Sequence, residues 1–527
     1  MWVNREDLIA PENYNIVMEM EKYAEETNKL ALMYMDKEGL RKEITYENLL
    51  KNVNKIGNVL LEKGLKKGDK LLVMVPRIIE AYEVYLAALK TGIIIIPSSD
   101  MLTTSDLQYR VSHAGVNGVV SIHSSAHVYK GINEYEDLIK FSIGEEVTDW
   151  HYLDELKEKA ADTLTIQTSS KDDIAFLPYT SGTTSNPKAV VHTHGWGYAH
   201  LRTVAENWLG ISGTDKVWAT AAPGWQKWVW SPFLSVLGSG ATGFIYNGPF
   251  NAEKYLHLLE SEGINVLCCT PTEYRMMAKS DHLANTDLSS IHSAVSAGEP
   301  LNREVIEVFQ NHFDITVRDG YGQTENTLLL GIMKGMEVKP GSMGKPTPGN
   351  EVEIVDAYGL PVEVGTTGDI ALKLNSPALF KEYYLDEKRT EQSIRGDYYI
   401  TGDRAKKDKE GYYWFEGRDD DIIVSSGYTI GPFEVEDALV KHGKVKECAV
   451  VGSPDEIRGQ VVKAFVVLRE AVEDEAALIK ELQNHTKHQT APYKYTRKIE
   501  FIDELPKTIS GKIRRVELRD LEKQRHQ

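Results

Sequence analysis

Residues 179–188 read YTSGTTSNPK, a run of small, hydroxyl-bearing side chains that includes one glycine and ends in a lysine. A loop of this composition brings backbone N–H groups and hydroxyls close to phosphate oxygens, and the lysine adds a positive charge. The preceding residues, DDIAFLPYT, are typical of a strand that enters the loop. The GxxxxGK[ST] spacing of a Walker A loop is missing. Taken alone, the decapeptide is more simply a flexible surface turn.

Further motifs follow this loop in a fixed order along the chain. They are GEP at 298–300, DGYGQTE at 319–325, YITGD at 399–403, GRDDDIIVSSGYTIGP at 417–432 and PKTISGKIRR at 506–515. Together they resemble the adenylate-forming (AMP-binding) superfamily, which includes acyl-CoA synthetases, luciferases and peptide-synthetase adenylation domains. The resemblance runs from about residue 30 to the C-terminus. The segments SSGYTIGP, SPDEIRGQVVKAFVVL and APYKYTRKIEF are most similar to the medium-chain acyl-CoA synthetase branch.

Composition excludes several other classes of protein. The chain has 527 residues, 42% of them apolar and 26% charged, which is ordinary for a globular protein. Its formal net charge of −18 argues against general nucleic-acid binding and against anionic membrane surfaces. The three cysteines suggest neither a disulfide framework nor a cysteine metal site. We find no secretory signal and no apolar stretch that could span a bilayer, so we expect a cytoplasmic enzyme.

The order of predicted elements indicates an α/β protein with layered sheets. KLLVMVP, EAYEVYLAALK and IIIIP read as strand, helix and strand, and the alternation recurs up to ITVRDGYG. The GEP and YGQTE motifs fall where such strands end, which is where ligands bind in parallel sheets. Beyond about residue 335 we expect strands without helices, and a smaller α+β unit follows. We therefore predict a large N-terminal domain with a β-rich subdomain (1–419) and a small mobile C-terminal domain (420–527).

The resemblance implies a reaction in two halves. A carboxylate attacks the α-phosphate of ATP to give acyl-AMP and pyrophosphate, and the thiol of coenzyme A then displaces AMP. The co-substrates and cofactors would be ATP, Mg²⁺ and coenzyme A, and the partner a small carboxylic acid. The first half brings anions together, so it needs cations and pre-aimed N–H donors.

Catalytic roles fall on three residues of the matching motifs. Lys512, in ISGKIRR, would touch both the substrate carboxylate and the α-phosphate. Glu325 would hold Mg²⁺, an ion that prefers carboxylate and phosphate oxygens. Thr324 would bond a phosphate oxygen. Without the resemblance, Lys512 would be a surface lysine of a basic tail and Glu325 an exposed loop residue.

The nucleotide would be held by the loops that precede these residues. Tyr321 would stack on adenine opposite the GEP wall, and Asp403 would accept both ribose hydroxyls beside Arg418. The full predicted set of ATP and AMP contacts is Thr180, Ser181, Gly182, Thr183, Thr184, Lys188, Gly298, Glu299, Pro300, Asp319, Gly320, Tyr321, Gly322, Gln323, Thr324, Asp403, Arg418 and Lys512.

The C-terminal unit would serve the second half-reaction. By resemblance, Asp420 is a hinge whose dihedral angles change between two domain orientations. Its ordinary alternative is a solvated turn in the charge run 418–421. The predicted coenzyme A contacts are Ser426, Gly427, Tyr428, Arg458 and Lys494.

The acid itself is indicated by position 322. Acetate-selective relatives carry tryptophan in this motif, whereas Gly322 leaves room for a longer or branched chain. The stretch GWQKWVW at 224–230 supplies Trp225, Trp228 and Trp230, some of which would line the acyl pocket while others are core. We expect a short-to-medium-chain, straight or branched acid, and broad selectivity, since one methylene is worth only about 1–3 kcal/mol.

Two other functions fit the same motifs. A free-standing adenylation enzyme would load a carrier protein instead of coenzyme A, although no carrier segment is apparent. A nucleotide-binding regulator without catalysis is the alternative from another class, and the intact Lys512 and Glu325 argue against it. A luciferase-type oxidation is the least supported, because nothing suggests an oxygen-handling site.

Overall fold

Strands make up the frame of the molecule. The computed structural model describes residues 3–180, 187–299, 301, 303–418, 421–425, 428–455, 458–490, 494–508 and 512–526. The strands within these residues are β1 (Leu30–Asp36), β2 (Arg41–Thr45), β3 (Lys70–Met74), β4 (Ile94–Pro97), β5 (Gly118–Ile122), β6 (Ile139–Ile143), β7 (His151–Tyr152), β8 (Ile174–Phe176), β9 (Tyr179–Thr180), β10 (Lys188–Ala189), β11 (His192–Thr193), β12 (Lys216–Ala219), β13 (Thr242–Asn247), β14 (Val266–Cys269), β15 (Ser293–Ala297), β16 (Val317–Gly322), β17 (Leu328–Gly331), β18 (Lys345–Pro346), β19 (Val352–Val355), β20 (Thr367–Lys373), β21 (Ile394–Arg395), β22 (Tyr398–Lys407), β23 (Tyr413–Arg418), β24 (Ile423–Ser425), β25 (Tyr428–Ile430), β26 (Val445–Asp455), β27 (Gly459–Leu468) and β28 (Lys498–Phe501).

Helices cover and connect the sheets. They are α1 (Met18–Glu21), α2 (Tyr46–Glu62), α3 (Ile79–Lys90), α4 (Thr104–Ala114), α5 (Leu153–Lys159), α6 (His194–His200), α7 (Gln226–Trp228), α8 (Val236–Gly238), α9 (Ala252–Ser261), α10 (Pro271–Ala278), α11 (Arg303–Phe313), α12 (Glu387–Gln392), α13 (Pro432–Val440), α14 (Glu475–Gln489) and α15 (Arg515–Arg525). Two π-helical segments, Leu201–Leu209 and Val229–Ser235, continue α6 and α7. Within the described residues, no helix has the length and apolar character needed to cross a bilayer.

Two large sheets dominate the N-terminal region of the molecule. One has nine strands in the order β18-β17-β16-β15-β14-β12-β13-β1-β2, with parallel pairing from β16 to β1. The other has seven strands in the order β11-β8-β4-β3-β5-β6-β7, and only the β11–β8 pair is antiparallel. Buried on both faces, central strands such as β4 and β14 are apolar throughout.

Two smaller antiparallel-rich sheets complete the fold. β19-β20-β22-β21 form one, and β23 is added to β22. β25-β24-β27-β26 form the other, in which β28 lies parallel to β27. The short β9–β10 hairpin, with Thr180 opposite Lys188, flanks the hydroxyl-rich loop.

The predicted α/β class and the plan of a large and a small domain are confirmed, with one local correction. Helices α3, α9 and α11 and the strands between them lie where the alternation indicated. The expectation that helices cease beyond residue 335 is wrong, because α12 lies inside the β-rich region. The Asp386 side chain caps α12 by accepting from the backbone N–H of Arg389. A helix of six residues is too short to show a hydrophobic period.

Local signals explain where helices begin next to the strand ends. α10 follows β14 directly, and its first turn reads T-P-T-E. Thr270 accepts from the N–H of Glu273, while Glu273 accepts from the N–H of Thr270, a reciprocal capping box. Pro271 occupies the first turn, where its missing N–H costs nothing. α10 is thus fixed at the edge of the sheet where β14 and β15 end.

Gly344 offers a test of this packing. It has φ +84°, and a Cβ there would lie 2.1 Å from the carbonyl oxygen of Gly331 in β17. Gly411 has the same φ of +84° but open space around it. We expect Gly411→Ala to cost about 1 kcal/mol of stability from backbone strain alone. Gly344→Ala should cost about 2 kcal/mol more, because it adds a steric overlap with backbone.

The measurement is denaturant-induced unfolding of both variants beside the parent protein. If both substitutions lower the free energy of unfolding equally, the close approach of Gly344 to β17 is contradicted.

Candidate active site

A buried ion pair stands at the base of the hydroxyl-rich loop. Lys188 Nζ lies 2.5 Å from Glu325 Oε1, and it donates to the hydroxyl of Tyr383 at 2.9 Å. Tyr383 in turn donates to the same Glu325 oxygen at 2.9 Å. Burial by itself would raise the pKa of Glu325, but the Lys188 charge and these hydrogen bonds hold it below its ordinary value. The first and third motifs are therefore joined directly.

Several residues of the predicted nucleotide set lie outside the described residues. This applies to Ser181, Gly182, Thr183, Thr184 and Pro300, as it does to the predicted hinge residue Asp420 and to the predicted coenzyme A contacts Ser426 and Gly427. Thr180 is described, and it pairs with Lys188 across the β9–β10 hairpin.

A column of rings supports the 324–327 turn from behind. His192 Nε2 donates to the carbonyl oxygen of Thr324 at 2.6 Å, and its ring lies 4.1 Å from that of Trp196. His200 follows at 5.4 Å from Trp196 and contacts the hydroxyl of Thr327 at 2.5 Å. These residues were not predicted from the sequence; only Trp196 and His200 share helix α6, four residues apart, whereas His192 lies in strand β11.

The histidines of this region are uncharged. Burial lowers the pKa of His192, His194 and His200 to about 4 each. His194 accepts from the backbone N–H of Ile16 at 3.2 Å. The column therefore acts as a neutral support and not as a source of positive charge at neutral pH.

Asp403 lies at the centre of a second group of hydrogen-bonded polar side chains. Its Oδ2 accepts from the Tyr321 hydroxyl at 2.6 Å and from Gln323 Nε2 at 2.7 Å. Arg418 lies opposite Asp403 in the β22–β23 register. Burial raises the pKa of Asp403, whereas the Tyr321 hydrogen bond and the Arg418 charge lower it. The motifs at 319–325, 399–403 and 417–432 thus meet at one place.

Asp319 and Gly320 lie deeper than the rest of their motif. Burial raises the pKa of Asp319 to about 7, and its carboxylate accepts from the N–H of Gly320 at 2.8 Å. A Cβ on Gly320 would meet the ring of Trp208 at 2.7 Å, and that ring donates to the Asp319 carbonyl. These contacts are structural, and a nucleotide contact for either residue stays a prediction.

The 298–299 segment lies across the cleft. Gly298 directly follows β15 and has φ +107°. Glu299 Oε2 accepts from Thr272 at 3.0 Å and from Arg275 at 3.3 Å. Lys227 donates to the carbonyl of Ala297 at 2.5 Å. Lys227 was not among the predicted site residues, because a lysine between tryptophans carries no distinctive spacing.

Lys512 reaches this cleft from the C-terminal unit. Its backbone carbonyl accepts from the N–H of Thr508 at 2.7 Å. The surrounding protein lowers the pKa of Lys512 by desolvation, while Glu299 and Asp403 raise it and Lys227 and Arg418 lower it. Lys512 remains in contact with solvent, so it lies in an open cleft. The chain thus brings its last motif within electrostatic range of GEP and YITGD.

The three tryptophans of GWQKWVW occupy different surroundings. Trp230 lies against Gly322, where a Cβ would meet its ring at 2.9 Å. Trp228 packs in an aromatic core, with its ring centroid 4.9 Å from Tyr82 and 5.2 Å from Phe233. Trp225 is half-buried at the start of α7. Trp230 thus lies beside position 322, and the pocket roles of the three tryptophans stay predictions.

The predicted coenzyme A residues are spread over the C-terminal sheet. Tyr428 begins β25. Arg458 is exposed beside β27, and its backbone N–H donates to Asp455 at 2.9 Å. Lys494 is buried and forms an ion pair with Glu434. The pairing of Lys494 would have to open for it to meet a phosphate, so its role stays a prediction.

Family models match most of the chain. The model described as AMP-binding enzyme matches residues 20–384, and that described as AMP-binding enzyme C-terminal domain matches 434–512. The chain therefore belongs to the AMP-binding enzyme family, as its motifs indicated.

Individual relatives agree with this assignment. A Bacillus subtilis protein described as an uncharacterized acyl-CoA ligase, YtcI, is 60% identical, with 99% of this chain and 98% of that protein covered. The human mitochondrial acyl-coenzyme A synthetase ACSM3 is 40% identical, with 97% of this chain and 90% of that protein covered. The crystal structure of the anthranilate CoA ligase AuaEII with anthranoyl-AMP superposes with a TM-score of 0.92, at 28% identity and 99% coverage of both chains. The chain is an acyl-CoA ligase, and the carrier-protein alternative is not favoured.

The Lys188–Glu325 pair gives a prediction with a defined pH dependence. Lys188→Met leaves a buried carboxylate without its cation, which should cost about 3 kcal/mol of stability at pH 7. Without the Lys188 charge, burial raises the pKa of Glu325, so protonation relieves the loss and the stability gap to the parent narrows as the pH falls below 7. Unfolding by denaturant at several pH values measures both effects.

The double variant Lys188→Met/Glu325→Gln is the control. It should be more stable than Lys188→Met alone, because the buried charge is gone. The single variant Glu325→Gln completes the cycle. If the stability losses of the two single variants add up to that of the double variant at pH 7, the two side chains do not interact as the distances indicate.

Proposed function

We propose that this acyl-CoA ligase activates a short-to-medium-chain carboxylic acid as acyl-AMP with ATP and Mg²⁺, and then transfers the acyl group to coenzyme A. One observation supports the proposal: Lys188 pairs with Glu325, whose charge acts on Asp403, and Lys512 lies within electrostatic range of Asp403 and Arg418. An acidic chain of net charge −18 that binds a triphosphate has to hold cations locally, and these side chains would supply them.

In the first half-reaction, the side chains orient anions and offset their repulsion. Asp403 accepts hydrogen bonds from the ribose hydroxyls, and Tyr321, fixed by its bond to Asp403, presents its ring to adenine. Lys512 lies between the acid and the α-phosphate, so its charge offsets the negative charge that builds up as the carboxylate oxygen attacks. The oxygen–phosphorus bond to pyrophosphate then breaks.

Glu325 is the residue that would hold Mg²⁺. No group of three or more histidine, cysteine or acidic side chains suited to a metal occurs in the described residues of the chain. A lone buried carboxylate fits magnesium, since that ion binds through one or two carboxylates and substrate phosphates. When bound, the ion would neutralise developing phosphate charge. Lys188, now paired with Glu325, would turn its ammonium to a phosphate oxygen.

The second half-reaction requires the C-terminal unit to turn. Asp420 is proposed as the pivot, with the domain boundary beside it. The turn would withdraw Lys512 from the cleft and bring 426–428 to it, so that the thiol of coenzyme A attacks the acyl carbonyl and AMP leaves. Arg458 is exposed and suited to a phosphate of coenzyme A.

Lys512 provides the test of the assigned chemistry. Lys512→Ala should lower acid-dependent adenylate formation by about a hundredfold or more, because one charge-stabilising contact is lost. Thioester formation from supplied acyl-AMP should change only slightly. The two half-reactions are measured separately, by ATP–pyrophosphate exchange and by acyl-CoA release.

Lys507→Ala is the matched control. This lysine precedes Lys512 in the same segment and is likewise exposed, but it is paired with Glu447 at 2.7 Å. It should leave both half-reactions near the parent values. Equal loss of both half-reactions in Lys512→Ala would refute the role given to Lys512.

Chain-length selectivity tests the proposed acid. Acids of about four to ten carbons should all be accepted, and kcat/KM should change by no more than about 10–200-fold from one chain length to the next, because each methylene is worth about 1–3 kcal/mol. A coupled assay that detects AMP, run with acids from acetate upward, measures this. A sharp optimum at acetate would contradict the proposal.

A further inference from the structure

Two side chains of the GWQKWVW stretch carry buried polar atoms that have no hydrogen-bond partner among the described residues. They are Gln226, through both Nε2 and Oε1, and Trp230, through Nε1. Gln226 is 8% exposed and Trp230 is 6% exposed, so neither group is solvated from the surface. Buried amides are ordinarily paired, and an unpaired buried group is costly. This region of the fold holds an amide and an indole N–H in an unsatisfied state.

The helix that carries them presents three distinct sides. Trp228 faces α3, where it packs on Tyr85 and Tyr82. Lys227 and Ser231 face the ends of β14 and β15, through the Ala297 carbonyl and the Cys268 sulfur.

Gln226 and Trp230 share the third side. They are four residues apart, which places them one above the other on the helix. The Trp230 ring lies against Gly322, at the end of β16, two residues before Thr324. The Trp230 ring therefore belongs to the wall beside position 322, and the helical spacing assigns Gln226 to the same side, where the acyl group of the proposed substrate would extend.

We propose that Gln226 and Trp230 recognise a hydrogen-bonding oxygen or nitrogen on the acyl portion of the acid. This inference rests on the proposed function. An oxo, hydroxyl, amide or ring-nitrogen group would accept from the Trp230 N–H and the Gln226 amide N–H, and the Gln226 oxygen would accept from a donor. An unsubstituted alkyl chain would leave all three atoms unpaired. The preferred substrate class is thus a polar-substituted acid.

The enzyme should discriminate between polar and apolar acids because a buried polar group that is left unpaired costs more than a missing apolar contact. A hydrophobic pocket separates acids that differ by a methylene only weakly, whereas a site with buried polar groups rejects analogues that leave them unpaired. Matched pairs isolate this effect: 4-oxopentanoate against 4-methylpentanoate, and 5-oxohexanoate against 5-methylhexanoate. In each pair a carbonyl oxygen is replaced by a methyl group of similar size.

The experiment compares kcat/KM within each pair by ATP–pyrophosphate exchange. The parent enzyme should favour the oxo acid by about tenfold or more in at least one pair. Gln226→Leu should reduce that ratio by about tenfold, and Trp230→Phe should reduce it by a smaller factor. Gln310→Leu, a substitution of the same kind on α11, should leave the ratio unchanged.

Stability of the enzyme without substrate gives a second readout. Gln226→Leu removes an unpaired buried amide, so its melting temperature should equal or exceed that of the parent. A structural glutamine would instead lower it. If the parent favours the methyl acids in both pairs, or if neither substitution moves the ratio, the inference is wrong. If no acid supports exchange in the parent enzyme, the proposed function fails instead.

Discussion

The buried contact between Lys188 and Glu325 ties the site together. It joins the hairpin that flanks the hydroxyl-rich loop to the end of β16, and Tyr383 adds the β-rich region to the same point. A buried carboxylate stays ionised only with a cation and hydrogen bonds around it. Three regions that are distant in the sequence therefore have to lie together before this group is satisfied, so the site depends on the tertiary structure of the whole N-terminal region.

Around the Lys188–Glu325 pair, positive side chains gather locally although the whole chain is acidic. The two lysines at the ends of the motif order, Lys188 and Lys512, and the arginine at 418 face a cleft whose carboxylates are each engaged by a neighbour. Asp403 is engaged by Tyr321 and Gln323, and Glu299 by Thr272 and Arg275. The donors are thus already oriented before a nucleotide arrives, so little reorganisation energy is needed during the reaction.

Sequence reasoning reached the fold class, the strand ends and the family, because alternation and motif order are local signals. It missed α12, which is too short to be periodic, and it did not foresee which partners Lys188 and Lys494 would have. Those pairings join residues far apart in the chain, and spacing carries no information about them. The support given by His192 and His200 was also missed, because His192 lies in strand β11 and His200 in helix α6, and no single period of the sequence relates them. The unpaired amide of Gln226 could be found only once burial was known.

The neutral histidines have a consequence for acid tolerance. In the unfolded chain a histidine takes up a proton near pH 6.5, whereas His192, His194 and His200 do so only near pH 4 when folded. Between these values the unfolded chain binds more protons, so stability falls as the medium acidifies, by up to about 1.4 kcal/mol per pH unit for each histidine. The ring column that steadies the turn at neutral pH is therefore also a proton-sensitive weak point, and mild acidification would erode this enzyme before its surface carboxylates had changed their charge.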